Sequence, residues 1–219
     1  MKFAGPSTSW MARARRDKPR NEYQLSVFIN CPFDAAYLKL FHSIIFAVIH
    51  CGFRARCAQE INDGGQVRIE KILNIVEACC YGIHDLSRTE LDRVNRLPRF
   101  NMPLELGFFL GAKRFGVGRQ RKKTCLILDR RPHRYQKFIS DIADQDIRAH
   151  QMSERNAISV TRDWLSAGSG RAIPGGAHIY RQYTRFNSAL PSLCKSLELK
   201  KSEMTFTDFA NVVTTWVAA

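Results

Sequence analysis

Two carboxylates, Asp85 and Glu105, are the residues of this chain that are best suited to chemistry. Asp85 ends an apolar run, so it either faces a crevice, where it could transfer a proton, or closes an Asx turn between a strand and a loop. Glu105 follows Pro103 closely, and we expect it in the first turn of a helix, where the macrodipole favours a charged carboxylate. The alternative for Glu105 is a helix cap without chemistry. Acid–base or electrostatic catalysis is the chemistry that this pair indicates.

Three short segments surround these carboxylates, at residues 30–34, 85–88 and 101–105. Each follows a strand-like run or begins a helix, and ligands of parallel sheets bind beyond the carboxyl ends of the strands. We therefore expect one crevice lined by all three segments. The predicted substrate-binding residues are Asn30, Pro32, Phe33, Ser87, Arg88, Asn101 and Met102. Alternatives remain for three of them: Phe33 as a core anchor, Asn101 as a helix cap and Arg88 as part of a solvated surface.

Strand-like and helix-like runs alternate along residues 23–129, which predicts the elements that position these side chains. The apolar runs at residues 24–30, 80–86 and 124–128 predict strands, and residues 53–57 predict a second, weaker strand after the first. Helices are predicted at residues 34–50, with Asp34 as the cap, at 67–79 and at 103–113. Such alternation predicts an α/β fold with a doubly wound, mainly parallel sheet.

The sequence predicts three regions. Residues 1–22 are rich in Lys and Arg and lack apolar periodicity, so we expect a basic disordered arm. Residues 23–137 should form the α/β domain, and residues 138–219 a helical extension with helices at 135–147, 157–165 and 206–216 and a Gly/Pro loop at 166–176. Three roles are open for the extension: completing the domain, capping it or forming a homo-oligomer interface.

Composition narrows the class of protein. The 219 residues are 45% hydrophobic, as in ordinary globular proteins, and no run of about 20 apolar residues predicts a membrane span. The seven cysteines include no C-x-x-C pair, so we expect no metal site, no structural disulfide and a reducing cytoplasm. No G-x-G-x-x-G follows the first strand, and neither a P-loop nor a G-x-S-x-G elbow occurs, which disfavours hydride transfer, P-loop chemistry and serine hydrolysis.

The net charge of +14 favours a polyanionic partner, and its densest stretch is residues 113–137. That stretch holds the following Lys and Arg residues against Asp129 as its one acid: Lys113, Arg114, Arg119, Arg121, Lys122, Lys123, Arg130, Arg131, Arg134 and Lys137. Aromatic residues are not interleaved for base stacking, so we expect either non-specific nucleic-acid contact or an entrance that attracts anionic nucleotides.

Four ordered pieces of the sequence carry a resemblance. Asp85-Leu86-Ser87, followed by Asn101-x-x-x-Glu105-Leu106-Gly107, resembles the D-[LIT]-[ST]…N-x-x-x-E-L-G pattern of TIR-like nucleotide-binding proteins, and looks like a diverged nucleoside 2-deoxyribosyltransferase signature. The run Val27-Phe28-Ile29-Asn30-Cys31-Pro32-Phe33 is similar to the first-strand motif of both groups. The resemblance covers about residues 24–129 and implies a TIR-like or flavodoxin-like architecture.

The resemblance implies cleavage of an N-glycosidic bond to a base, with Glu105 as the central residue. Asp85 is the second predicted catalytic residue, and it could orient the ribose or the base or transfer a proton. The implied substrate is a nucleoside, a nucleotide or an NAD-like molecule, no separate cofactor is implied, and related domains are often bacterial defence or signalling effectors. The transferases have an Asp six residues before the glutamate, where this chain has Arg99. That departure disfavours base exchange and favours hydrolysis, or a non-catalytic module that senses a nucleotide in the same crevice.

Overall fold

A single parallel sheet forms the centre of the molecule in the computed structural model. The structure describes residues 18–60, 63–91, 96–97, 100–142 and 145–219, and for residues 18–21 the backbone alone. The strands are β1 (Ser26–Asn30), β2 (Arg54–Arg56), β3 (Tyr81–Asp85), β4 (Thr124–Asp129) and β5 (Ile147–Ala149). They pair in the order β2-β1-β3-β4-β5, all in parallel. The strand order therefore reverses between β1 and β3, which is where doubly wound folds bind ligands.

Helices cover both faces of the sheet, as the burial of every residue of β1 requires. The helices are α1 (Lys18–Leu25), α2 (Leu38–His50), α3 (Arg68–Ala78), α4 (Asn101–Phe115), α5 (Glu154–Ser169), α6 (Gly176–Ser196) and α7 (Phe206–Ala218). Val27 and Ile29 of β1 point into a core shared with α2, α5, α6 and α7, whereas Phe28 points into a core shared with α3 and α4. The α/β doubly wound prediction is confirmed.

Residues after 137 are built into the same core as the first half of the chain. They supply β5, and α5 packs along α2, so that Trp164 meets Tyr81 of β3 edge-on at 5.6 Å between ring centroids. Phe46 of α2 contacts Tyr183 and Phe186 of α6, each at 5.3 Å. This packing corresponds to the first of the three roles considered for residues 138–219, in which the helices complete the domain.

Several element predictions need correction. The predicted helix at 135–147 is wrong: two short 3-10 turns, Arg134–Lys137 and Ser140–Ile142, lead instead into β5. The helix expected from Asp34 begins at Leu38, because the Asp34 carboxylate accepts hydrogen bonds from the amides of Ala36 and Tyr37 and closes a turn first.

Three further boundaries differ from the prediction. The predicted Gly/Pro loop is shorter than expected, since α5 continues to Ser169 and the 21-residue α6, which the sequence did not predict, starts at Gly176. Of the predicted basic arm, residues 1–17 lie outside the described residues, and its end falls within α1. Within the described part of the chain, every helix is too short or too polar to cross a membrane.

Candidate functional site at the carboxyl edge of the sheet

Polar side chains end three neighbouring strands at one edge of the sheet. Asn30 ends β1, Asp85 ends β3 and Asp129 ends β4, and each is buried. His150 follows β5 directly and is also fully buried. The parallel topology thus brings residues from four strands to the point where the strand order reverses, as the sequence predicts for Asn30 and Asp85.

Asp85 is held on both of its carboxylate oxygens. Oδ1 accepts the backbone N–H of Ser87 at 2.7 Å, which is the Asx turn that the sequence left open as an alternative. Oδ2 accepts the Tyr37 hydroxyl and lies 2.9 Å from Nε2 of His150. Nδ1 of His150 accepts a hydrogen bond from the amide of Met152 at 2.9 Å, whereas Nε2 lies near Asp85 but has no hydrogen-bond partner among the described residues. A substrate could reach Asp85 only by displacing Tyr37 or His150.

Asn30 connects β1 to the start of α4. Its side-chain amide donates to the carbonyl of Met102 at 2.9 Å and lies 3.1 Å from Nδ1 of His84. His84 packs edge-on against Phe28 and Phe109, and burial lowers its pKa to about 3, so the ring is neutral. His84 is therefore part of the core, although its Nε2 is buried without a partner among the described residues.

Glu105 is a buried carboxyl group that forms no hydrogen bond or ion pair within the described part of the chain. Its exposed fraction is 6%, and burial raises its pKa to about 7, while Arg68 acts weakly in the opposite direction. Because α4 begins at Asn101, Glu105 lies in the second turn, and the expectation of a first-turn position is wrong. The macrodipole falls off within the first turn, so desolvation governs this carboxyl group. Glu105 is not the helix cap either, because α4 has no side-chain cap.

Two buried thiols lie beside the carboxyl groups. Burial raises the pKa of Cys31 well above its usual range, and Asp85, Cys57 and Glu105 raise it further in that order. Burial likewise raises the pKa of Cys57 to about 12, with Glu105 among the weaker causes. Cys31 is therefore close to both Asp85 and Glu105, and neither thiol is a nucleophile at neutral pH.

The other predicted residues divide between the crevice and its surroundings. Met102 is buried against Asn30, and Ser87 is buried with its Oγ unpartnered among the described residues. Arg88 is exposed and pairs with Asp34 at 3.1 Å, at the rim. Pro32 is buried, Asn101 is exposed at the first residue of α4, and Phe33 packs on Phe41 at 5.2 Å, which is the core-anchor alternative.

Tyr37, His150 and Arg134 are polar residues of this edge that the sequence did not reveal. Tyr37 lies in a turn, and His150 follows a strand that was predicted as helix. Arg134 bonds Asp129 at 2.7 Å and the carbonyl of Leu86 at 2.8 Å, so it ties the ends of β3 and β4 together. Among the polar residues that were not predicted at this edge, Asp129 is the one with a recognisable sequence pattern, because it ends an apolar run as Asp85 does.

Asp85 is enclosed by neighbouring side chains. Four cavities of about 750, 630, 570 and 560 Å³ are formed by described residues, and none of the four is lined by Asp85 or Glu105. Tyr37 and His150 are fully buried against Asp85. Binding of a ligand at Asp85 therefore requires Tyr37 or His150 to move.

The basic stretch at residues 113–137 is divided between opposite edges of the sheet by β4. Lys113, Arg114, Arg119, Arg121 and Lys122 precede β4, are exposed and form no ion pair with a described residue. Lys123 is buried at the start of β4. After β4, at the edge that carries Asp85, Arg130 pairs with Glu90 and Arg134 with Asp129. The larger unpaired positive charge is therefore remote from the candidate site.

The described residues bring no group of three His, Cys, Asp or Glu side chains into a metal-binding arrangement. Comparison of the chain with protein-family models, with curated proteins and with solved structures yields no match. The resemblance to TIR-like and deoxyribosyltransferase-like domains therefore stays a prediction.

Proposed function

We propose that this protein hydrolyses the N-glycosidic bond between base and ribose in a nucleoside, a nucleotide or an NAD-like molecule. The observation that carries the proposal is Glu105, a buried carboxyl group without a partner among the described residues and with a pKa raised to about 7. Burial of an unpaired carboxylate is costly, and such perturbed groups cluster at functional sites. Its place beside the switch point of a doubly wound sheet agrees with a ligand site.

In the proposed reaction, the bond from C1′ to the base nitrogen breaks and leaves positive charge on the sugar. The ionised carboxylate of Glu105 faces that charge and stabilises it, or attacks C1′ as a nucleophile. Water then supplies the oxygen that ends on C1′. Its proton ends on the base of a nucleoside or nucleotide, or in solvent when the leaving group is the already neutral nicotinamide of an NAD-like molecule. Asn30 serves as a positioning residue, because its bond to the Met102 carbonyl fixes the start of α4.

We propose that Asp85 acts as a positioning residue rather than as a group that touches substrate. Its two oxygens are engaged by Ser87, Tyr37 and His150, and its exposed fraction is 0%. Together these contacts join the loop after β3, the turn before α2 and the end of β5. Within this cluster, Oγ of Ser87 and Nε2 of His150 have no hydrogen-bond partner among the described residues, and we propose that the Ser87 hydroxyl binds a ribose hydroxyl.

Replacement of Glu105 tests the proposal. Purified protein would be incubated with nucleosides, nucleotides and NAD, and released base followed by chromatography. We expect Glu105→Gln to lower the rate roughly 10²–10³-fold, because Gln keeps the shape and removes the charge. Glu70→Gln is the matched control, since Glu70 is an exposed glutamate of α3. The wild-type rate should also rise about tenfold from pH 6 to pH 8, as a group of pKa about 7 ionises. Undiminished turnover in a folded Glu105→Gln variant would refute the role of Glu105.

A second function, nucleotide sensing without turnover, is favoured by one observation. Asp85 is covered by Tyr37 and His150, which are fully buried. A covered carboxyl group fits a module in which ligand binding moves the side chains that cover it. Saturable binding of a nucleotide with no base released would favour this function, whereas base release would favour the hydrolase.

A further inference from the structure

One of the four cavities lies on the side of α4 opposite Glu105. Its volume is about 560 Å³, and Pro103, Leu106, Gly107 and Leu110 contribute to its wall. These four positions are spaced three and four residues apart, so they form one stripe of the helix, and Glu105 lies on the opposite side. The cavity is therefore separate from the candidate site, although both use α4, and its volume suits a small ligand.

Two aromatic side chains stand at this cavity with part of their surfaces open to solvent. Phe100 is 69% exposed and Phe138 is 37% exposed, and both line the cavity. The guanidinium of Arg134 lies 5.0 Å from the ring centroid of Phe138 and is itself fixed by Asp129 and Leu86. Phe138 is thus a pre-positioned aromatic wall rather than a freely moving side chain.

Thr89 supplies the one polar side chain among the described residues that line the cavity. Its Oγ1 accepts a hydrogen bond from Arg134 at 2.5 Å and donates to no described residue. Arg134 therefore occupies a lone pair of the hydroxyl and leaves its hydrogen to be donated. The cavity offers apolar walls, two aromatic faces and one hydrogen-bond donor, and no described charged side chain lines it.

We propose that this cavity binds a flat, uncharged heteroaromatic ring that stacks against Phe100 and Phe138 and accepts a hydrogen bond from Thr89. An uncharged ring fits because the apolar lining would leave an ionised group without a partner. A flat ring fits because aromatic side chains stack on π faces, and an acceptor in the ring satisfies the hydroxyl. This site is independent of the chemistry proposed at Glu105.

Two glycines of α4 allow a matched test. A Cβ added at Gly107 or at Gly111 would meet no atom within 4 Å, so either position accepts a larger residue. Gly107 lines the cavity, and Gly111 lines none of the four cavities described. Both changes replace a helical glycine by a better helix former, so neither should unfold the protein. Gly107→Leu should place a larger side chain in the cavity and obstruct it, whereas Gly111→Leu is the control.

The probe is quinoline, a flat neutral ring system with one acceptor nitrogen, and binding is followed by NMR of labelled Leu and Ile methyl groups. We expect saturable binding with a Kd in about the millimolar range, as is usual for a ligand of this size, with shifts at Leu110, Ile139 and Ile142. Gly107→Leu should weaken binding at least tenfold, Gly111→Leu should leave it unchanged, and so should Glu105→Gln. Absence of saturable binding to the wild type, equal binding by Gly107→Leu, or equal loss in Gly111→Leu would overturn the proposal.

Discussion

At the scale of single residues, Glu105 carries an energetic cost that the fold retains. Its pKa rises from the ordinary value of 4.5 to about 7 because burial penalises the carboxylate. The folded protein therefore binds a proton that the unfolded chain has lost between these two pH values. The stability of the fold falls as pH rises through this window, and the full cost is present above pH 7. It amounts to about 3 kcal/mol at most.

The first prediction at this scale concerns stability against pH. Glu105→Gln should raise the free energy of unfolding at pH 8 by up to about 3 kcal/mol, because Gln is neutral there. At pH 5 the difference should shrink to less than about 1 kcal/mol, because most of the window between pH 4.5 and pH 7 lies above that pH. Urea unfolding at both pH values measures the difference, with Glu70→Gln as the control. A variant that is less stable than the wild type at pH 8 would contradict the account of a buried, unpaired carboxylate.

The sequence predicts the residues of the site only where local pattern determines position. Asn30 and Asp85 end apolar strands, so the topology of a parallel sheet suffices to bring them to one edge. Tyr37 and His150 reach Asp85 through tertiary packing, and no local pattern in the sequence marks them. The ionisation of Glu105 was misjudged because two residues of extra helix at its start move it out of the first turn.

At the scale of elements, a buried lysine satisfies the end of α3. Lys123 donates its ammonium hydrogens to the carbonyl of Val76 at 2.5 Å and to that of Cys79. The ammonium also lies 4.6 Å from the ring centroid of Phe109 in α4. Burial lowers the pKa of Lys123 to about 8, so the charge is retained at neutral pH. A member of the basic stretch thus joins α3, α4 and β4 instead of meeting an anionic partner.

Lys123→Met should lower the free energy of unfolding by about 2 kcal/mol. Met keeps much of the apolar stem and removes the ammonium, so carbonyls at the end of α3 lose their donor. Lys122→Met is the matched control, because Lys122 is an exposed neighbour, and its effect should stay within about 0.5 kcal/mol. Chemical denaturation at pH 7 measures both. Equal stability of the two variants would show that Lys123 does not cap α3.

Elements were predictable where their periodicity was long or strongly apolar. Apolar composition alone suffices to predict the buried strands β1, β3 and β4 and the apolar helix α2. β5 has three residues and ends a polar region, so its pairing with β4 rather than any local preference makes it a strand. α6 was missed because it starts at Gly176 and contains Pro191, two residues that usually indicate a break.

At the scale of the whole molecule, the positive charge is polarised by the sheet. The exposed cations before β4 have no ion-pair partner among the described residues, whereas Arg130 and Arg134 beyond β4 are paired with Glu90 and Asp129. The fold thus places the two parts of the basic stretch at residues 113–137 at opposite edges of the sheet. An anionic polymer should prefer the edge opposite the candidate site.

Replacement of Lys113, Arg114 and Arg121 by Ala should weaken binding to random duplex DNA more than replacement of Arg130, Arg131 and Lys137. The first triple removes three of the five exposed cations that lie together before β4, whereas Arg130 of the second triple is already paired with Glu90. The first triple should lower the slope of log K against log salt by about 2–3. Fluorescence anisotropy at several salt concentrations measures both triples, which change the net charge equally. An equal loss in the two triples would show that the division of charge has no effect on binding.

The two outermost strands, β2 and β5, have three residues each. The unpaired edge of an outermost strand is a template onto which another chain can add by backbone hydrogen bonding. The tendency to aggregate in this way grows with the length of the edge strand. Edge strands this short offer a neighbouring chain few amide and carbonyl groups. Arg54 also places an exposed charged side chain on β2, and Arg148 does so on β5. Continuation of the sheet from one molecule into the next is therefore disfavoured at either border. At the high concentrations that a newly made protein meets, this protects the chain against ribbon-like aggregation.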